Sequence, residues 1–409
     1  MRRVAAAALL LCLAASGQAA PTGGSVVAGT ASVTSSGART TITQSSPSTI
    51  LNWHSFGIAA GESVQFIQPT AQSVALNRVL GADPSAIFGS LSANGKVFLV
   101  NPNGILFGSG ASVNVAGLVA SALDISDAAF LAGQYRFAGS GRGAVVNEGS
   151  IQADGGYVAL LGGSVSNRGV ITARMGTVAL AAGQAITLDV AGDRLLNVRV
   201  DAGTVDALVS NGGLLQADGG LVLMTAQAAG ELLSTVVNNT GRVQAQTIDQ
   251  QAGTIRLLGD MRSGTVSAGG VLDASAPRGG PGGQIETSAA HVQVPDSARV
   301  TTASAGGPGG HWLIDPQDFT IGGGAGDNIS GAVLSEMLVT TSVEIRTAPG
   351  LDVTVAGTPP GRQLFTDHEG NGDIYVNQPV SWSASTVPTT LTLTATRDTH
   401  INQAVTATN

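Results

Sequence analysis

Side chains that hold metals or attack bonds are few in this chain and widely scattered. The five histidines, His54, His291, His311, His368 and His400, include no pair at the spacing of an H-E-x-x-H zinc site. Gly95-Lys96 is followed by Val97 and lacks the upstream glycine of a phosphate-cradling loop, and no G-x-S-x-G nucleophile turn occurs. Gly322 to Asn328 has the glycine content of a calcium-binding repeat, but Asp327 is out of register and the pattern occurs once. Asp367, Glu369, Asn371 and Asp373 make a local acidic loop, read as a solvated turn rather than a Ca²⁺ site. Polysaccharide cleavage wants charged side chains gathered in one groove, which a chain with 11% charged residues assembles with difficulty. Acidic pairs on one outer face would be needed. The sequence therefore assigns no catalytic residue, no cofactor and no metal ligand.

The polar residues that do carry positional meaning sit at turns and strand ends. Asn101-Pro102-Asn103-Gly104 supplies Asn at i, Pro at i+1 and Gly at i+3 of a type I turn. Its Asn side chains can bond the main chain and stiffen the corner. Asn77 and Arg78 lie in the run Val74 to Val79, where a role at a strand end is expected.

These turns need elements to hold them, and a repeat shows what those are. Asn147, Gly149, Ile151, Ala153, Gly156, Val158 and Leu160 recur as Asn167, Gly169, Ile171, Ala173, Gly176, Val178 and Leu180. The pattern returns at Asn211, Gly213, Leu215, Ala217, Gly220, Val222 and Met224, and in degraded form at Asn239, Gly241, Val243 and Ala245. Apolar residues at alternate positions between Asn and Gly describe short strands and tight turns. A unit of about 20 residues cannot bury its own apolar face, so copies must stack into a β-solenoid. Asn residues recurring in register predict a hydrogen-bonded ladder.

Around the repeats, residues 25–75 read as β. Val97 to Val100 is apolar on both faces, as in a strand covered on both sides. Residues 124–137 are the short-helix candidate, capped by Ser126 or Asp127. The clusters Gly279 to Gly283 and Gly306 to Gly310 read as coil corners ahead of strands at 284–287 and 311–314. Beyond Pro316, strands at 319–321, 343–346, 373–376 and 391–395 sit among longer loops, and the chain reaches Asn409 without an obvious polar cap, as the front portion of something longer would. At about 20 residues and 4.8 Å per coil, the rod would be roughly 90 Å long.

Arg2 and Arg3, the apolar run Val4 to Ala15, and the small residues Gly17 and Ala19 make a secretory signal peptide, cut after Ala19. The only cysteine, Cys12, lies inside it, so the mature chain has no disulfide to obstruct passage of an unfolded polypeptide. A net charge of −8, with Lys96 the single lysine, argues against a nucleic-acid partner.

Leu76-Asn77-Arg78-Val79, Asn101-Pro102-Asn103-Gly104-Ile105 and Gly117 to Ile125 together resemble the secretion domain of two-partner-secretion exoproteins, the filamentous-haemagglutinin-like adhesins. The resemblance covers about residues 25–275 and implies an all-β, right-handed parallel β-helix with an N-terminal cap and small extra-helical β-hairpins. It divides the chain into a signal peptide (1–19), the secretion β-helix (20–275), Gly/Pro-rich coils continuing it (276–315) and a further, incomplete β-rich shaft (316–409). It also implies secretion to the surface of a Gram-negative bacterium through the periplasm. The partner would be an outer-membrane TpsB-type barrel with periplasmic docking domains, recognising Asn101, Pro102, Asn103 and Gly104, with Asn77 and Arg78. An adhesin would add a host-cell surface or glycan. The alternatives are the front of a contact-dependent toxin-delivery rod and a β-helical polysaccharide-active enzyme.

Overall fold

The computed structural model describes residues 20–141, 143–190, 196–229, 236–348, 370–385 and 387–408. The signal-peptide reading at 1–19, and His368, Asp367 and Glu369 of the acidic loop, lie outside the described residues. Among those described, the chain winds as a parallel β-helix with three sheets of 13, 11 and 8 strands. Each turn of the coil lays one strand on each sheet, as in Tyr157–Gly162, Ser164–Asn167 and Val170–Thr172. The next turn stacks in parallel register, Tyr157 on Thr177 and Val158 on Val178.

Alternation places the apolar set inside. Ile151, Val158, Leu160, Val165, Ile171, Val178 and Leu180 are all fully buried in one continuous column. Fully burying such a side chain is worth about 1.5–3 kcal/mol, so every added coil contributes several of these increments. Polar residues inside must pair, and the expected ladder does so. Asn147 Nδ2 donates to Asn167 Oδ1 at 2.8 Å, Asn167 to Asn211 at 2.8 Å, and Asn211 to Asn239 at 2.7 Å. Asn239 ends the series by donating to the Gly269 carbonyl at 2.6 Å.

A second core lies on the outer face of the 13-stranded sheet. Val97 to Val100 is fully buried, Val97 and Leu99 inside the coil, Phe98 and Val100 outside it. The cover is a three-stranded antiparallel sheet, Tyr135–Ala138, Ala185–Asp189 and Asn197–Ala202, together with the helix Asp127–Leu131. Phe98 contacts the rings of Tyr135 at 5.0 Å, Phe130 at 5.8 Å and Phe137 at 6.1 Å. Ser126 caps the helix, accepting from the Ala129 amide. The helix is shorter than the expected 124–137, because Gly133 at φ 70° closes it and Tyr135 and Phe137 resume a strand.

At the N-terminal end, Ser25–Ala28 runs antiparallel to Ser48–Trp53, and Ala31–Ser36 antiparallel to Arg39–Gln44. These strands cap the first coil. The Gly-Pro clusters do form corners: the Gly282 amide donates to the Pro308 carbonyl one coil on, at 2.9 Å. One element was not expected. Gly331–Leu338 is a helix, capped by Ser330, which buries Val333, Leu334, Met337 and Leu338. The rod is also shorter than coil counting implied, since successive ladder residues lie 20, 44 and 28 positions apart. Residues diverted into excursions add no rise, and a 13-stranded sheet spans only about 58 Å.

Candidate functional site

Asn77, Arg78 and the Asn101–Gly104 turn converge on one corner of the first coils. Strand Val74–Val79 pairs with Lys96–Val100, placing Arg78 beside Val100, the residue before Asn101. Alternation then sends Asn77 and Arg78 to opposite faces. Asn77 is fully buried inside the coil, where its Oδ1 accepts from the Trp53 indole at 3.0 Å and its Nδ2 reaches the Phe98 carbonyl at 3.4 Å. It braces the interior and is not at the folded surface.

Arg78 points outward and clasps the excursion that follows two coils later. Its Nε donates to Asp124 at 2.9 Å, its Nη1 to Asp127 at 2.7 Å and its Nη2 to the Ile125 carbonyl. Partial burial opposes the charge, but the two carboxylates outweigh it and hold the guanidinium pKa above its ordinary value. The clasp fixes the start of helix Asp127–Leu131 and so the cover over Phe98. Arg78→Ala is expected to cost about 2 kcal/mol of stability, and Arg78→Lys to recover less than half of it, because lysine lacks the planar fork. Denaturant unfolding reads both, and an Arg78→Lys protein as stable as the parent would refute the clasp.

The turn itself is stiff and only half presented. Asn101 is fully buried: its Nδ2 donates to the Asp83 carbonyl at 3.0 Å and to Ser85 Oγ at 3.1 Å, and its Oδ1 accepts from the Asn103 amide at 3.0 Å. Asn103 Nδ2 donates to the Gly81 carbonyl at 2.9 Å, binding the corner to the previous coil. Gly104 has φ 112°, and a Cβ there would lie 3.0 Å from the Ala144 carbonyl, so glycine alone suits the position. Pro102 and Asn103 are exposed. They share the corner with Leu80, the most exposed large apolar side chain among the described residues at 64%.

A carboxylate series that the sequence reading missed runs along another corner. Asp154 accepts from the Arg174 amide at 3.0 Å and its guanidinium at 2.5 Å. Partial burial opposes the Asp154 charge, but Arg174 more than offsets it and holds the pKa below the ordinary carboxylate value. Asp218 accepts from the Gln246 amide at 2.8 Å, and Asp273 from Arg242 at 2.7 Å. The signal was an Asp preceding Gly-Gly in the best repeats, at Asp154 and Asp218.

The fold does bring carboxylates together on one outer face, at Glu286, Asp315 and Glu344. Glu286 pairs with Arg256 at 3.1 Å and Glu344 with Arg346 at 2.5 Å. Burial raises the Asp315 pKa and lowers that of His311, which lies 3.5 Å from Glu344. The coil also brings Asp373, Asp398 and His400 together, although they are scattered in sequence. There the Arg397 guanidinium already pairs with Asp373 and holds its pKa low.

Residues 17–274 match the family model described as the TPS secretion domain. The chain belongs to that family. Individual proteins match the chain as well. A "Heme/hemopexin-binding protein" of Haemophilus influenzae is 38% identical over 254 residues, 60% of this chain and 28% of that protein. A second protein of that name from H. influenzae is 44% identical over 97 residues, 24% of this chain and 10% of the other. The chain thus spans under a third of the curated relatives it matches. The crystal structure of the HMW1 secretion domain from H. influenzae superposes with a TM-score of 0.60 at 24% identity, covering 95% of this chain and all of that one. That likeness confirms the β-helix expected from the repeats.

Proposed function

We propose that this TPS domain is the export module of a secreted two-partner-secretion exoprotein, recognised by an outer-membrane TpsB-type transporter through its periplasmic docking domains. The supporting observation is the corner at Asn101–Gly104, where the buried Asn101 amide fixes the main chain and leaves Pro102 and Asn103 displayed beside Leu80. The residues divide the work. Asn101 and Gly104 shape the corner, Asn77 braces the wall behind it, and Arg78 secures the cover next to it.

The chain enters the periplasm after cleavage behind Ala19 and crosses the outer membrane unfolded. Each coil completed outside buries its apolar set and satisfies its main chain against the coil before. That gain makes outward movement directional without a nucleotide. The exported rod serves adhesion to a host-cell surface or glycan. A second reading, capture of heme or hemopexin, is favoured by the 38% identity to the H. influenzae protein of that name.

Deleting residues 101–104 should lower release into the medium by more than about tenfold, equivalent to losing 1.4 kcal/mol or more of recognition. Asn103→Ala, which leaves the Asn101 bonds to Asp83, Ser85 and the main-chain amide of residue 103 in place, should lower it less. Normal release of the deletion variant, in cells carrying the partner barrel, would overturn the assignment.

A further inference from the structure

The first described residue makes a contact that signal-peptide removal would transform. The Ala20 nitrogen lies 2.9 Å from Glu62 Oε2, and the same oxygen accepts from the Ala59 amide at 3.0 Å. Glu62 is held in place by its own main chain. Its amide donates to the Ala59 carbonyl at 3.0 Å, and its carbonyl accepts from the Ser90 amide of the next coil at 2.9 Å. Just beyond Ala20, the Thr22 amide donates to the Ser55 carbonyl and the His54 amide to the Thr22 carbonyl, each at 2.9 Å. The entry of the chain is thereby sewn to the first coil. Among the described residues, no arginine, lysine or histidine pairs with Glu62, so its charge meets only N–H donors.

We propose that Glu62 is the receptor for the α-ammonium created at Ala20 by signal-peptide cleavage, and that this ion pair locks the N-terminal cap in the processed chain only. The inference rests on the reading that cleavage follows Ala19. Before cleavage, the Ala20 nitrogen is a neutral amide with one hydrogen. After cleavage it is a cation with three, aimed at a carboxylate already in place. Cleavage therefore adds charge at one atom. The cap guards the end from which coil stacking begins, so processing would be coupled to formation of the first rung.

The test uses the secreted full chain in four forms: the parent, Glu62→Gln, a form with one serine inserted between Ala19 and Ala20, and the two changes combined. Intact mass of each reads the cleavage point. A parent beginning anywhere other than Ala20 overturns the processing premise independently of the pairing. Hydrogen exchange at the Thr22 and His54 amides reads the lock. Glu62→Gln keeps an acceptor for Ala59 but removes the charge, and should speed exchange about fivefold in the parent, the upper range for an exposed ion pair. In the serine-extended background, where Ala20 is again an amide, the same change should alter exchange by less than about twofold. Equal effects in the two backgrounds would show that the ammonium is not the partner and would overturn the proposal.

Discussion

Val158→Asp is expected to abolish release of the folded rod into the medium. Val158 is fully buried and lies in register between Leu118 of the coil before and Val178 of the coil after. Both register neighbours are apolar, as are Ile151, Ala153 and Leu160 on the same rung, so a carboxylate there finds no cationic partner. An unpaired buried charge costs several kcal/mol, or forces protonation or local unfolding. In a solenoid the damage is not averaged over a globule, because each rung is supported only by its two neighbours. Coils before residue 157 should still stack on the N-terminal cap, and those after should lose their template. Limited proteolysis of the accumulated protein should accordingly yield a resistant N-terminal fragment. Ile151→Asp, one sheet away on the same rung, should behave the same. Gln152→Asp, outward-facing and exposed, should not. If Val158→Asp were released at parental levels, folding would not be what draws the chain outward.

That prediction could be framed from the sequence because the repeat fixes which side chains point inward. Asn147, Asn167 and Asn211 share their offsets to the following Gly, and buried Asn side chains at one level can satisfy each other only if the levels coincide. The ladder was legible for that reason. Coil length was not, since the sequence between repeats does not say whether extra residues lengthen the rod or leave it. Tyr135–Ala138 and Ala185–Asp189 leave it, and they do so to cover Phe98 and Val100. The double-sided apolar run at Val97 to Val100 showed that some cover must exist, but not which segment supplies it.

The helix Gly331–Leu338 shows the opposite limit. Ser330 followed by apolar Val333, Leu334, Met337 and Leu338 is a helical signature, lost among β-branched neighbours and a Gly at the first turn. In the structure it takes the place of a strand on the third wall, touching both Arg299–Thr301 and Val380–Ser383. At the candidate site, the turn at Asn101 was readable because turn chemistry is local. The division between Asn77 inside and Arg78 outside needed only the period of two and knowledge of the wall. The clasp from Arg78 to Asp124 and Asp127 spans 46 and 49 residues, and no local rule reaches that far.

Gly176→Val is expected to destabilise the rod by more than about 3 kcal/mol, the scale of overpacking against atoms that cannot turn aside. A Cβ at Gly176 would lie 2.0 Å from the Gly156 carbonyl oxygen, and one at Gly220 would lie 2.0 Å from that of Gly176. The obstacle is main chain, so no rotamer change relieves it. Moving the coil away would break the bonds from the Thr177 amide to the Gly156 carbonyl at 3.1 Å and from the Leu221 amide to the Gly176 carbonyl at 2.9 Å. The neighbouring column separates this requirement from backbone conformation. Gly155 and Gly219 have φ 73° and 67°, but their counterpart is Met175 at φ 56°. A left-handed penalty of about 1 kcal/mol is tolerated there in the natural sequence. At the next position the three repeats carry Gly156, Gly176 and Gly220 without exception. Gly155→Ala, with nothing within 4 Å of its Cβ, should therefore cost only about 1 kcal/mol. Denaturant unfolding of the two variants reads the difference directly. Equal losses would mean that coil spacing, and not turn conformation alone, has slack enough to admit a side chain, and the close stacking that joins each rung to the next would have to be abandoned.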